Sequence, residues 1–299
     1  MVFFGKIVAA FFAWGAYAVL RLVGWKRKTV LANAKHVSSP VNYDELLINL
    51  TRHVSELLFC FGTFKKLPRD FAAYPCCVDG WTFDIAEGSA PVLEKMRKGG
   101  IFLTAHYGNY EAMGPWLCRL GIPLVASYIP VKPKWLNNIL ERRIRAVDGR
   151  SYSVDARTPR DFLRILNEGN LFCLLSDQDS RIPSALSGTL LGQPVNVNPL
   201  PDFLLKHRPQ TPVFICWMEE RGTSPKGTST KGASSKKVRV LHAIEVVGAQ
   251  SQIASSTDSC VVNSRFNKWL EQRILENPNL WYSFTHRRFY SRSPEIYGE

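Results

Sequence analysis

The stretch "IFLTAHYGNYEAMG" carries the residues best suited to proton transfer, His106 and Glu111, five positions apart. On a continuous α-helix two side chains at that spacing diverge by roughly 140°, so a helix could not bring them together. A strand that ends near Ala105 could, because His106 then sits at a strand's carboxyl end, where open α/β sheets gather their ligands. Gly108-Asn109 makes the turn, and Asn109 is a suitable N-cap facing the same site. Glu111 enters the first turn of a helix that Gly114-Pro115 should kink or delay. Across such a turn Glu111 can orient the imidazole and stabilise its protonated form, which makes His106 a general base. A histidine satisfied at a strand end and a glutamate serving a helix dipole would give the same string, so the pair needs support from elsewhere in the chain.

That support begins with the motifs that are missing. The chain has no G-x-S-x-G elbow, no H-E-x-x-H and no G-x-G-x-x-G, which argues against a serine hydrolase, a zincin or a dinucleotide enzyme. A histidine-carboxylate pair without a protein nucleophile suits a reaction in which the substrate's own hydroxyl attacks. Arg143 lies between Arg142 and Arg145 on a predicted helix face, suited to an oxyanion or phosphate contact or simply to solvent. Asp177 and Asp179 straddle one residue at a second strand end and should hydrogen-bond to arginines in preference to holding a metal. The seven cysteines show no zinc-binding spacing and read as reduced thiols in a cytosolic environment, so neither metal nor cofactor is expected.

The elements that must position these groups are legible as alternating apolar runs. "YDELLINLTRHVSELLFCFG" has the periodicity of an amphipathic helix; "GGIFLTA", "NLFCLLS", "TPVFICWMEE" and "VRVLHAIEVV" read as strands. "APVLEKMRKG", "KWLNNILERRIRAV" and "PRDFLRILNEG" read as helices, and "VVNSRFNKWLEQRILE" as a last helix broken near Pro278. The alternation predicts an α/β fold, a central parallel or mixed sheet flanked by helices. Residues 221–237 form a Gly/Ser/Thr/Lys tract that should be a mobile loop and lacks the Lys-Ser/Thr pair of a phosphate loop.

Charge and the amino terminus point to a membrane. The net charge of +13 favours an anionic neighbour, whether nucleic acid, acidic carrier or lipid. "HRRFYSR" alone approaches a nucleic-acid-binding pattern, so no nucleic acid is expected. Residues 1–25 read as a membrane-anchoring helix in preference to a signal peptide or a core helix. Lys26-Arg27-Lys28 should then keep residues 26–299 on the cytoplasmic side.

Four blocks in order carry a resemblance. "HYGNYE" after an apolar strand resembles the H-x4-D/E motif of the glycerolipid acyltransferase superfamily. "YIPVKPKWLNNILERRIR", "LFCLLSDQD" with the segment after it, and "NKWLEQRILENPNLWYSFTHRRF" are similar to blocks of the bacterial lipid A late acyltransferases, the lauroyl and myristoyl transferases. The segment after "LFCLLSDQD" resembles a small-residue helix of that family. The resemblance spans nearly the whole chain and implies a cytoplasmic-face enzyme of the inner membrane. It would transfer a fatty acyl group from acyl carrier protein or acyl-CoA to a hydroxyl of a lipid A precursor or related glycolipid, without an acyl-enzyme. It implies His106 as base and Glu111 as its partner, with Asn109, Arg143, Asp177, Asp179, His286, Arg287 and Arg288 facing substrate. Ile129 stands where the family has Arg, and Ser180-Arg181 where it has an aromatic-Gly pair, so acceptor recognition should differ from the best-known members. Other acceptors, such as a phosphatidylinositol mannoside, an aminolipid or a lysophospholipid, are the rival readings. A catalytically silent membrane-associated binding protein is another.

Overall fold

In the computed structural model, which describes residues 2–128, 130, 132–222, 237–248 and 260–298, the chain folds as a large mixed sheet flanked by helices. Three helices come first: α1 (Val2–Leu22), α2 (Arg27–Ala34) and α3 (Tyr43–Phe64). The Asn42 side chain accepts from the Asp44 and Glu45 amides and so starts α3, whose Leu46, Leu47, Leu57 and Phe64 are buried. Next come the hairpin β1 (Cys76–Val78) and β2 (Trp81–Ile85), then α4 (Ser89–Met96), β3 (Gly100–Thr104), α5 (Tyr110–Arg119), β4 (Leu124–Ser127) and α6 (Lys134–Ile139). The short strands β5 (Ala146–Val147), β6 (Arg150–Ser151) and β7 (Ser153–Val154) lead into α7 (Pro159–Asn167) and β8 (Leu171–Leu175). A hairpin of β9 (Leu186–Leu190) and β10 (Gln193–Val197), α8 (Leu200–His207), the long pair β11 (Val213–Gly222) and β12 (Lys237–Val247), and α9 (Val261–Glu276) complete the order.

The main sheet runs β1-β2-β12-β11-β3-β8-β4-β7. It is parallel from β11 through β3, β8 and β4 to β7, with an antiparallel β11–β12 pair inside it. A sheet covered on both faces must be apolar on both, and β3 is buried at every residue. Ile101 and Leu103 pack with Ile215, Trp217, Phe266 and Leu270 on one face; Phe102 packs with Phe214, Met96, Trp116 and Leu117 on the other.

Several expectations change in detail. The helix read over "KWLNNILERRIRAV" is α-helical only over Lys134–Ile139, then widens into a π-turn at Leu140–Ile144 and ends in β5. Pro115 does not delay α5, which runs from Tyr110 straight through it. Of the segment after "LFCLLSDQD", only Leu200–His207 is helical; the β9–β10 hairpin precedes it. The loop read over 221–237 starts later, since Arg221 and Gly222 belong to β11 and Lys237 to β12, while 223–236 lie outside the described residues, as does Ile129.

The amino-terminal helix is long and apolar enough over Gly5–Leu22 to cross a membrane. It is not a free-standing arm. It lies antiparallel along α3, tied by Arg21 Nε to Asp44 Oδ1 at 2.8 Å near one end and by the Phe12 and Phe59 rings, 5.4 Å apart, toward the other. Phe11 is 82% exposed, Trp14 63% and Leu22 87%, so the helix presents an apolar face outward.

Candidate active site

The site follows from strand register. Thr104 at the end of β3 pairs with Leu175 at the end of the parallel neighbour β8, so the residues two beyond each, His106 and Asp177, emerge side by side at the carboxyl edge of the sheet. Gly108 lets the chain turn there. Its φ is +58°, and a Cβ at this position would lie 2.4 Å from the Met218 carbonyl oxygen, so any side chain would push the turn off β11. The turn is clamped from the far end of the sequence: the Gly108 amide donates to the Leu280 carbonyl at 2.9 Å, and the Tyr282 amide to the His106 carbonyl at 2.8 Å.

Asp177 is fully buried and accepts four hydrogen bonds. The His106 amide (3.0 Å), Trp281 Nε1 (2.9 Å) and Ser283 Oγ (2.7 Å) donate to Oδ2, and His106 Nδ1 lies 2.8 Å from Oδ1. Burial alone would raise its pKa, but the imidazole and the Ser283 and Trp281 donors outweigh burial and hold the carboxyl well below the usual range. An ionised Asp177 can only accept, so Nδ1 carries the proton and Nε2 is the nitrogen left for a substrate. For His106, burial works to lower the pKa. The Asp177 charge and hydrogen bond, and then the Glu111 charge, overcome it, and the net shift is upward. His106 is thus a basic imidazole with a fixed tautomer.

This corrects the sequence expectation for Glu111. Glu111 does sit in the first turn of α5, but Asp177 holds Nδ1, and the Glu111 carboxylate pairs with Arg145 Nη2 at 3.1 Å. Arg145 also replaces Arg143. The Arg143 side chain is exposed and only its carbonyl is engaged, by Lys65 Nζ, whereas Arg145 sits over the Tyr128 ring at 5.0 Å. Its Nη1 is buried and has no hydrogen-bond partner among the described residues, a donor held ready. The physical reason is the π-turn, which shifts the phase of the segment after Ile139.

His106, Glu111 and Arg145 line one cavity of about 350 Å3, which continues between apolar side chains including Phe102, Met113, Leu124 and Leu175. The remaining expected residues surround the site at different distances. Asn109 is the N-cap of α5 but makes no capping bond; its Nδ2 donates to Glu56 Oε2 at 3.1 Å. The His286 ring lies 6.3 Å from the His106 ring. Asp179 points elsewhere, accepting from Ser291 Oγ at 2.7 Å with Arg181 Nε at 3.5 Å, so the acidic pair is divided and Asp177 bonds no arginine. Arg287 stacks against Tyr290 and Tyr297, and Arg288 is fully buried with Nη1 donating to the Asn196 carbonyl at 2.8 Å. Arg288 ties the C-terminal segment to the body, and neither arginine lines the cavity.

Three neighbours escaped sequence reasoning. Tyr110 meets the His106 ring edge-on at 4.9 Å, and Trp281 and Ser283 fix Asp177. The signal for Trp281 and Ser283 lay in the closing block "LWYSFTHRRF", whose polar atoms have no obvious use on a surface turn. A second buried histidine, His53 on α3, packs on Tyr110 at 5.0 Å and on Tyr282 at 5.8 Å; burial pushes its pKa down to about 4. Among the described residues no three His, Cys, Asp or Glu side chains group to hold a metal ion. A scan against protein-family models finds none that matches this chain, and a search of curated proteins finds no match either.

Proposed function

We propose that the protein is a membrane-attached acyltransferase that moves a fatty acyl group from a thioester, acyl carrier protein or acyl-CoA, to a hydroxyl of a lipid A precursor or related glycolipid. The observation that carries the reading is His106, its Nδ1 held by a buried carboxylate, at a largely apolar cavity of about 350 Å3 that also holds an unpartnered arginine N–H. An apolar cavity suits an acyl chain, and the dyad suits an alcohol as nucleophile. His106 Nε2 takes the proton as the acceptor oxygen attacks the thioester carbonyl. Asp177 stabilises the imidazolium, and Arg145 Nη1 is placed to meet the developing oxyanion. The C–S bond then breaks, and the thiolate leaves with the proton from His106. Glu111 acts as a positioning residue by fixing Arg145.

The sequence blocks that resemble those of the lipid A late acyltransferases support the acceptor class. The charge of +13 suits an acidic carrier and an anionic surface. Attachment at the cytoplasmic face of the inner membrane fits the exposed apolar face of α1. Docking along α3, which carries Arg52, His53 and Glu56, favours a helix lying in the membrane surface over one spanning it.

The test is transfer from acyl carrier thioester to an underacylated lipid A in detergent, followed by mass. The expected result is a product one acyl group heavier, lost in His106→Ala protein that remains folded. Undiminished transfer by His106→Ala overturns the mechanism; product only with another acceptor keeps the mechanism and changes the substrate.

A further inference from the structure

A second cavity of about 350 Å3 lies away from His106, between α1 and α3. The two helices pack against each other, and a groove remains beside their contact because the α1 side chains on its wall are the small Ala9, Ala10 and Ala13. A volume in the range of about 300–1,000 Å3 is that of a small-molecule site and not of a packing defect. One stretch of the groove is apolar, lined by the alanines and Ile48. Trp14 and Ala10 line it while also being exposed on the outward face of α1, so its mouth opens where the protein would meet a bilayer.

The other stretch is cationic. Lys6 Nζ lies 4.9 Å from the centroid of Trp81 and has no ion pair among the described residues. Arg52, partly exposed, lines the same wall. The carboxylates nearby are already answered: Glu56 by Arg239 Nη2 at 2.7 Å, and Glu220 by Arg52 at 3.2 Å and Lys237 at 2.7 Å. The surplus charge is therefore Lys6, beside a tryptophan whose ring already carries the Arg239 guanidinium at 3.5 Å. A site with an apolar trough, a cation and a tryptophan at its rim has the polarity of an amphiphile with an anionic head.

We propose that the α1–α3 groove binds one molecule of an anionic glycerophospholipid drawn from the membrane. The phosphate sits at Lys6 beside Trp81, and one acyl chain runs from there along Ala9 and Ala13 toward Ile48. The second chain stays outside against Phe11 and Trp14. The inference is independent of the acyl-transfer reading, since none of these residues lines the His106 cavity.

Native mass spectrometry of the full chain in detergent tests it, with phosphatidylglycerol and phosphatidylcholine of identical acyl chains as probes. The expected result is one retained phosphatidylglycerol, bound at least about fivefold more tightly than phosphatidylcholine, the effect of one surface cation. Lys6→Gln should bring the two lipids to near equality, and Ala13→Trp, which fills the groove, should lose both, with its melting temperature checking that α1 remains docked. Equal binding of the two lipids to the unaltered chain overturns the proposal, as does retention by a folded Ala13→Trp protein. Absence of acyl transfer by the unaltered chain counts against the reaction proposed above and leaves this measurement standing.

Discussion

His106 and His53 are both mostly buried, and both touch the ring of Tyr110, at 4.9 Å and 5.0 Å. Their chemistry is opposite. His53 is stacked between aromatic rings with no carboxylate bonded to its ring, and desolvation, only partly offset by the Glu111 charge and the Asn109 side chain, drives its pKa down to about 4. His106 suffers the same desolvation but has Asp177 against Nδ1, and its pKa rises. One carboxylate, placed by strand register, separates an inert imidazole from a base.

Substituting each histidine should expose that difference most strongly. His106→Gln is expected to lower turnover by roughly 10^2–10^4, the usual contribution of a general base, while His53→Gln should stay within about tenfold of the parent. Comparable losses in both would erase the distinction.

Asp177→Asn should cost nearly as much, and its pH profile separates tuning from simple damage. In the parent, turnover rises as His106 loses its proton, with a midpoint above the ordinary 6.5. Without the Asp177 carboxylate only the Glu111 charge opposes burial, and the midpoint should fall. Arg145→Gln is expected to cost about a hundredfold in kcat, the scale of a lost oxyanion donor, with the midpoint little changed. Glu111→Gln should cost about tenfold, also through Arg145.

Stability should separate the histidines by sign. His53 is neutral when folded, so the unfolded chain binds an extra proton between pH 6.5 and about 4 and stability falls as pH drops through that window, by on the order of 3 kcal/mol in full. His53→Leu should flatten the acid side of the melting-temperature curve. The raised pKa of His106 acts the other way, adding stability that is complete below pH 6.5 and is lost as pH rises through the folded value. The smallest effect is expected at exposed Arg143: Arg143→Ala should leave turnover within about twofold.

The sheet's interior was legible because β3, β8, β11 and β12 are long or wholly apolar runs, and α3 announced itself by its period. The short strands β1, β4 and β7 and the β9–β10 hairpin were not, since a few residues at a sheet edge, or a strand with alternating exposure, carry too little pattern. His106 could be picked out from its place after an apolar run. Its partner could not, because the Thr104–Leu175 pairing that sets Asp177 beside it joins residues far apart in sequence. Proximity in the chain favoured Glu111 instead. Arg143 was preferred to Arg145 for a related reason: a π-turn changes which side chain faces inward, and composition does not reveal one.

The clamp on the turn at Gly108 also has a bearing on the order of events at the ribosome. Asp177 is synthesised long before the Trp281 and Ser283 donors that hold it. The segment bearing them is fastened by Asn33 Nδ2, which donates to the Phe284 and His286 carbonyls at 2.8 Å each, and Tyr297 donates to Asn33 Oδ1 in turn. A nascent chain can therefore build its sheet and lay down α1 while His106 still lacks a finished socket. A chain lacking residues 281–297 is expected to keep its sheet while the socket around Asp177 stays unfinished, and the proposed transfer should be lost.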